Sequence, residues 1–164
     1  GIWVGKYETG YLGATTTAPA KPNPPMVKDE TRFNIIGSKR AQIDLNMAWT
    51  NNAGATAGNG NYLFRLPNGI RFDLTKHPAN QGQTGNLIDQ VTEAQVAAGI
   101  PAIGFVRNLN QEGAGACFVV PWDATRYRVF YTWNQIEQTF VSSSFLNINA
   151  ARGAYNLSFQ ISVL

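Results

Sequence analysis

The sequence predicts an all-β fold: an antiparallel β-sandwich of the jelly-roll kind, over residues 32–164, with an extended N-terminal arm at residues 1–31. Three observations carry this. Apolar and polar residues alternate with a period of two in run after run beyond Thr31, the pattern of half-buried strands. Clusters of Gly, Pro and Asn separate the runs, as turns require. The first 31 residues follow neither rule.

In the arm, Gly1–Tyr11 mixes Trp3, Tyr7 and Tyr11 with glycines, and Pro19, Pro22, Pro24 and Pro25 then fall within seven residues. Proline removes a backbone donor and is confined to sheet edges, so the stretch reads as extended, with polyproline character. It is either a strap over its own domain or a contact with a neighbouring subunit. Ile43, Leu45, Met47 and Trp49 alternate with Gln42, Asp44, Asn46 and Ala48 as a strand, and Asn51–Asn61 is a loop by composition. Tyr62, Phe64 and Leu66 alternate next, and Ile70, Phe72 and Leu74 follow Pro67-Asn68-Gly69, so the economical expectation is a hairpin. Residues 75–86 are turn-rich, and Leu87–Gly99 reads as a short helix or a loop with a short strand. Strands are expected at 101–108, 116–120 and 126–133, with one or two short ones in 140–148. Within 126–133, Tyr127, Val129, Tyr131 and Trp133 share one face, and Arg126, Arg128 and Phe130 the other. The chain closes on Tyr155, Leu157, Phe159, Ile161 and Val163. About eight strands with turn signals between them are the mark of a sandwich or jelly roll.

Composition narrows the chemistry. Of 164 residues only 14% are charged and the net charge is +3, against about 25% charged in ordinary domains. Nucleic-acid binders concentrate Lys and Arg on one face, so no nucleic-acid partner is expected. One histidine, His77, and one cysteine, Cys117, fall short of the three or four ligands of a zinc site, and no metal or cofactor is expected. A Ser-His-Asp triad would have to use His77. No run of about 18 apolar residues suggests a membrane span. The chain opens at Gly1 without a basic, hydrophobic leader, so it reads as a processed or truncated product.

His77 sits between Lys76 and Pro78 and reads as a surface loop histidine rather than a base or pH sensor. Asp44 and Asp73 are the pair to consider for glycoside hydrolysis, but Asp44 lies on the polar face of its strand. Arg65, Arg71, Arg126 and Arg128 are scattered, which suits cross-strand pairing with acids. Trp122, and Trp133 beside Asn134, fall near strand ends. They read first as interface anchors and second as ring faces for a sugar. Gln42, Asn46, Asn156, Ser158, Gln160 and Ser162 form a polar, weakly charged strand face, able to hydrogen-bond in ladders without burying charge. Such a face suits an identical subunit around a three-fold axis, or a wetted outer sheet.

Several stretches resemble one pattern. Gly60-Asn61-Tyr62-Leu63-Phe64-Arg65-Leu66-Pro67-Asn68-Gly69-Ile70-Arg71-Phe72-Asp73 is similar to the GxGxYxFxLPxGLxxD stretch of many viral and phage particle proteins. Leu12–Pro19 resembles their GATTTAPTKG arm, Arg32–Gly37 and the strand to Trp49 their YRRVGDxxxVxxxxxW segment, and Gly153–Val163 their final strand, without its usual terminal Pro and Trp. The likeness runs in order along most of the chain, and its motifs are structural. The glycine-tyrosine-x-phenylalanine core is also similar to the trimeric jelly rolls of the complement-type and tumour-necrosis-factor-like superfamily.

The resemblance implies a non-enzymatic virion structural protein (capsid, decoration or fibre component), located in the particle. It would assemble with itself as a trimer and with other virion proteins. It also implies Tyr62 and Phe64 as core or trimer-axis residues; Trp3, Tyr7 and Tyr11 join them as interface candidates on the arm. The alternative is a host-receptor or glycan-binding head of a fibre, with Trp122, Trp133 and Asn134 as contacts. An enzyme ranks last, since ten acids give no reason to choose a catalytic pair.

Overall fold

The longest strands form where the alternation is cleanest. In the computed structural model, which describes residues 6–23, 26–81, 93–98, 102–108, 113–131, 146 and 148–164, the strands are β1 (Lys6–Glu8), β2 (Gly13–Ala14), β3 (Lys28–Ile36), β4 (Arg40–Trp49), β5 (Tyr62–Arg65), β6 (Ala102–Asn108), β7 (Gly113–Pro121), β8 (Arg126–Tyr131) and β9 (Gly153–Ser162). One short helix, α1, spans Glu93–Ala98, inside the ambiguous 87–99 stretch. Every pairing is antiparallel, and the strand order is β1-β3-β4-β9-β6-β7-β8-β5-β2. The fold is therefore all-β, one antiparallel curled sheet. Among the described residues no helix is long and apolar enough to cross a membrane.

β9, last in the chain, sits between β4 and β6, paired with β4 over ten residues from Arg40↔Ser162 to Trp49↔Gly153. Period two then sorts side chains by face. Ile43, Leu45, Met47 and Trp49 of β4 and Tyr155, Leu157, Phe159 and Ile161 of β9 are buried on the inner face. The sheet curls back on itself across this core. β8 and β9 are separated by two strands in the order, yet the Tyr127 ring lies 5.0 Å from that of Phe159. Phe64 of β5 stacks on Tyr155 of β9 at 5.5 Å and on Tyr127 at 5.6 Å. Such pairs add about 0.5–1.5 kcal/mol beyond the area they bury. The Tyr131 and Tyr155 hydroxyls meet at 2.8 Å, which satisfies two phenols that burial would otherwise penalise.

The arm is tied to its own domain. β1 pairs with β3 at one edge of the sheet, β2 with β5 at the other, and residues 9–12 cross between them with Leu12 buried in the core. Glu8 accepts a hydrogen bond from the Asn68 N–H at 2.9 Å. Lys21 pairs with Asp29 at 2.7 Å and also bonds the Gly10 carbonyl. Further along, Thr15 and Thr17 hydrogen-bond Asn61 and Asn59, and Ala20 pairs with Thr56. Gly58 and Gly60 make this approach possible. Both have positive φ, and a Cβ on either would come within 2.4 Å of a strap oxygen, the Thr17 carbonyl or the Thr15 hydroxyl. Of the two readings of the arm, these residues form the strap, and β3 starts at Lys28, inside the expected arm boundary at 31.

The hairpin across Pro67-Asn68-Gly69 does not form. The turn is there, with the Ile70 N–H bonded to the Pro67 carbonyl and Gly69 at φ 90°. The chain beyond it, however, finds other partners: Phe72 N–H donates to Ala124, Asp73 N–H to Ser162, and Phe72 bridges Val163. Burying Phe72 against Tyr127 carries the segment across the sheet's end instead of back along β5. The strands expected in 140–148 lie outside the described residues except at Leu146 and Ile148, which are buried.

In β8 the described residues fall on the two faces as expected, and all but Arg126 are buried. Phe130 and Val120 form a second apolar cluster with Phe118. Arg128, fully buried, lies between the Trp122 and Phe130 rings and donates to the Asn80 carbonyl at 2.8 Å. Asn80 in turn donates to Gln95 of α1 at 3.1 Å.

Two outcomes test this packing. Phe64→Ala should cost about 3–5 kcal/mol in urea unfolding; a loss under 1 kcal/mol would mean the sheet is not closed over that ring. Deleting residues 1–25 should lower the melting temperature by at least about 5 °C, since Leu12 burial alone contributes roughly 2 kcal/mol and each kcal/mol shifts a chain of this size by about 2–4 °C. An unchanged melting curve would make the arm dispensable to the fold.

Candidate functional site

The outer face of β3, β4, β9 and β6 is an ordered grid of polar side chains. Register places Arg32, Asp44, Ser158 and Phe105 in one row across four strands, and Glu30, Asn46, Asn156 and Arg107 in the next. The side chains hold one another. Gln42 Nε2 donates to Ser158 Oγ at 2.6 Å, Ser158 Oγ donates to Asp44 at 2.7 Å, and Arg32 Nε sits 3.3 Å from Asp44. Asn156 donates to Asn46 at 2.7 Å and accepts from Arg107 at 2.7 Å and 3.0 Å. Phe105 and Ile103 stand out of this grid, 58% and 53% exposed. Two shallow depressions flank Phe105, one of about 560 Å³ toward Arg40, Gln42 and Gln160 and one of about 330 Å³ toward Asn46 and Arg107.

The sequence reading recognised the polar half of this face in Gln42, Asn46, Asn156, Ser158 and Gln160, and missed Phe105. The stretch 101–108 reads as a strand, with neither face assigned to Phe105. The signal was the reverse alternation: Ala102, Gly104 and Val106 face inward, and a Cβ at Gly104 would crowd the Ser158 carbonyl at 2.8 Å and Phe159 Cβ at 2.9 Å. At Gly104 the inner face has no room for bulk.

Of the two places expected for Tyr62 and Phe64, core or trimer axis, the core is the one the structure shows. Tyr62 and Phe64 are buried in the chain's own core, with the Tyr62 hydroxyl donating to the Ala57 carbonyl at 2.9 Å, so neither is offered to a second subunit. Tyr7 lies in β1 opposite Arg32, and nothing of its side chain is described. Tyr11 is half-buried under the Arg65 guanidinium, 4.1 Å from its ring. Trp122 is half-buried and engaged with Arg128, its carbonyl accepting from Gln81 at 2.8 Å; it is not an open ring face. Trp3, Trp133 and Asn134 lie outside the described residues.

The titratable candidates are each held locally. Asp73 caps its own turn through the Thr75 hydroxyl and N–H, which keep its carboxyl below the usual carboxylate range, while Asp44 sits in the grid. Arg126 pairs with Asp123 inside one turn at 2.7 Å rather than across strands. Burial pushes the Cys117 thiol up to about 12, so it is no thiolate at neutral pH. Among the described residues no three His, Cys, Asp or Glu gather as a metal site.

His77 is not the loose surface residue expected. It is half-buried against Phe72, and its Nε2 accepts the Ser162 N–H at 2.9 Å, so the ring is neutral with its proton on Nδ1. Burial, helped by Arg40 and opposed by Asp73, lowers its pKa below the ordinary 6.5. A depressed histidine contributes stability that is present above the unfolded pKa and lost as pH falls through the folded one. The melting temperature should therefore drop as pH falls below 6.5, and His77→Gln, whose amide oxygen still accepts from Ser162 without titrating, should remove that step. An identical pH profile in the variant would assign the drop to other groups.

Compared with known families, curated proteins and solved structures, this chain matches none of them.

Proposed function

We propose that this chain is a non-enzymatic structural module of a virus or phage particle (a capsid, decoration or fibre component) that assembles with copies of itself as a trimer. In this reading the curled sheet is a jelly-roll sandwich, its halves β3-β4-β9-β6 and β7-β8-β5 facing each other across the Phe64, Tyr127, Tyr155 and Phe159 rings.

One observation carries the reading. The two stretches that most resemble particle proteins, Leu12–Pro19 and Gly60–Asp73, are far apart in sequence, yet they are hydrogen-bonded to one another over Gly58 and Gly60. The resemblance in the two stretches therefore falls on one structural device, the clasped edge. An assembly surface is available at the sheet's end. Backbone bonds from Asp73 to Ser162, Val163 to Lys39 and Leu164 to Arg71 bring to one end of the sheet the segments that carry Ile36, Leu74 and Leu164, all exposed. Grouped apolar side chains of this kind mark association surfaces.

The test is solution mass by light scattering. The full chain should run at three times its 17.9 kDa, and Ile36→Glu with Leu74→Glu should reduce it to monomer without lowering the melting temperature. A wild-type monomer would overturn the proposal.

A second reading, a receptor- or glycan-binding head, is favoured by a different observation: the exposed Phe105 ring among hydrogen-bonding side chains on the outer face.

A further inference from the structure

We propose that the outer face of β4, β9 and β6 is a binding groove for an acidic oligosaccharide, with Phe105 as the stacking platform and Arg40 and Arg107 as the anion contacts. This rests on the second reading above, a glycan-binding head, and assigns its site and ligand class.

The chemistry of the face points to sugars. A hydroxyl both donates and accepts, and the grid offers both: amides at Gln42, Asn46, Asn156 and Gln160, a hydroxyl at Ser158, a carboxylate at Asp44. All of these but Gln160 are already fixed by their mutual bonds, so little of their rotamer freedom is lost on binding. Phe105 supplies the flat apolar surface that the C–H face of a pyranose needs. Its two flanking depressions are of ligand-site size, open rather than enclosed.

Charge selects the acidic class. The face carries the acids Glu30 and Asp44, and both are paired within it, to Lys28 at 3.4 Å and Arg32 at 3.3 Å. Arg40 and Arg107 have no ion pair among the described residues, and they lie on opposite sides of Phe105. Asn46 lies six positions along β4 from Arg40, about 20 Å at roughly 3.4 Å per residue. The length suits several linked rings with their anions at intervals, not one monosaccharide.

Other occupants fit less well. A second protein copy would bury a centre made of charges and amides, whereas interface cores are depleted in charge. Single-stranded nucleic acid stacks successive bases on several aromatics, and Phe105 is the only aromatic among the exposed large apolar side chains of the described residues.

The experiment is calorimetric titration of the full chain with four probes: an oligogalacturonate hexamer, a heparin hexasaccharide, maltohexaose and polyphosphate. One or both acidic sugars should bind, and which of them binds names the anion as carboxylate or sulfate. Phe105→Ala should weaken binding at least tenfold and Phe105→Trp should restore it, with the melting temperature and solution mass of both variants unchanged. Arg40→Gln with Arg107→Gln should abolish the preference over maltohexaose. Equal affinity for maltohexaose overturns the acidic class, and equal affinity for polyphosphate overturns sugar recognition. Acidic-sugar binding unaffected by Phe105→Ala overturns this groove but leaves a glycan-binding head standing. No binding to any sugar overturns the groove and the head reading together, while the solution mass still decides assembly on its own.

Discussion

One short piece of backbone, residues 6–20, hydrogen-bonds to both edges of the same sheet, and the closed form of the molecule depends on it. An antiparallel sheet of this many strands has two rows of unpaired amides and carbonyls, and proteins must cover or blunt them. Here β1 covers the outer edge of β3 and β2 that of β5, while Leu12 plugs the gap between them. The features around the strap follow from this. Gly58 and Gly60 lack side chains because the strap lies on them. Lys21 reaches across to Asp29 and Gly10.

With both edges covered, the sheet differs mainly in what each part of its outer surface meets. Over β7 and β8 a second layer of chain, reaching Asn80 and Gln95, closes on Arg128 and Phe130. Over β4, β9 and β6 the described residues place no such layer, and the polar side chains bind one another instead. In the proposed readings, assembly would draw on the apolar end near Leu74 and ligand recognition on the polar face around Phe105, and the two meet where Ile36 stands opposite Arg40.

The strands of this fold were largely legible because a half-wetted strand writes its burial directly into sequence. β4 and β9 are the clearest cases, since one face of each is core and the other open. Legibility failed wherever the partner is distant. Pro67-Asn68-Gly69 does encode a turn, but a turn does not say that the next residues will bond Ala124 and Ser162. Arg128 looks like a solvent residue until Asn80 and Trp122 are brought over it. His77 could not announce a bond to an amide 85 residues away. For the candidate site, the amides and hydroxyls could be read from their alternation. Phe105 could not, because its orientation is dictated by the tight contact of Gly104 with β9.

The position of β9 bears on how the chain acquires this structure. The last of the nine described strands is not an edge but a centre, inserted between β4 and β6. Until it arrives, both neighbours present unpaired backbone, and the pairing of Arg40 with Ser162 must close a loop of more than a hundred residues before it yields any stabilisation. Contacts of that separation slow folding and prolong the exposure of sticky edges. A nascent chain therefore holds an open β4 edge until β9 has been made, and a product cut short before β9 would keep that edge permanently.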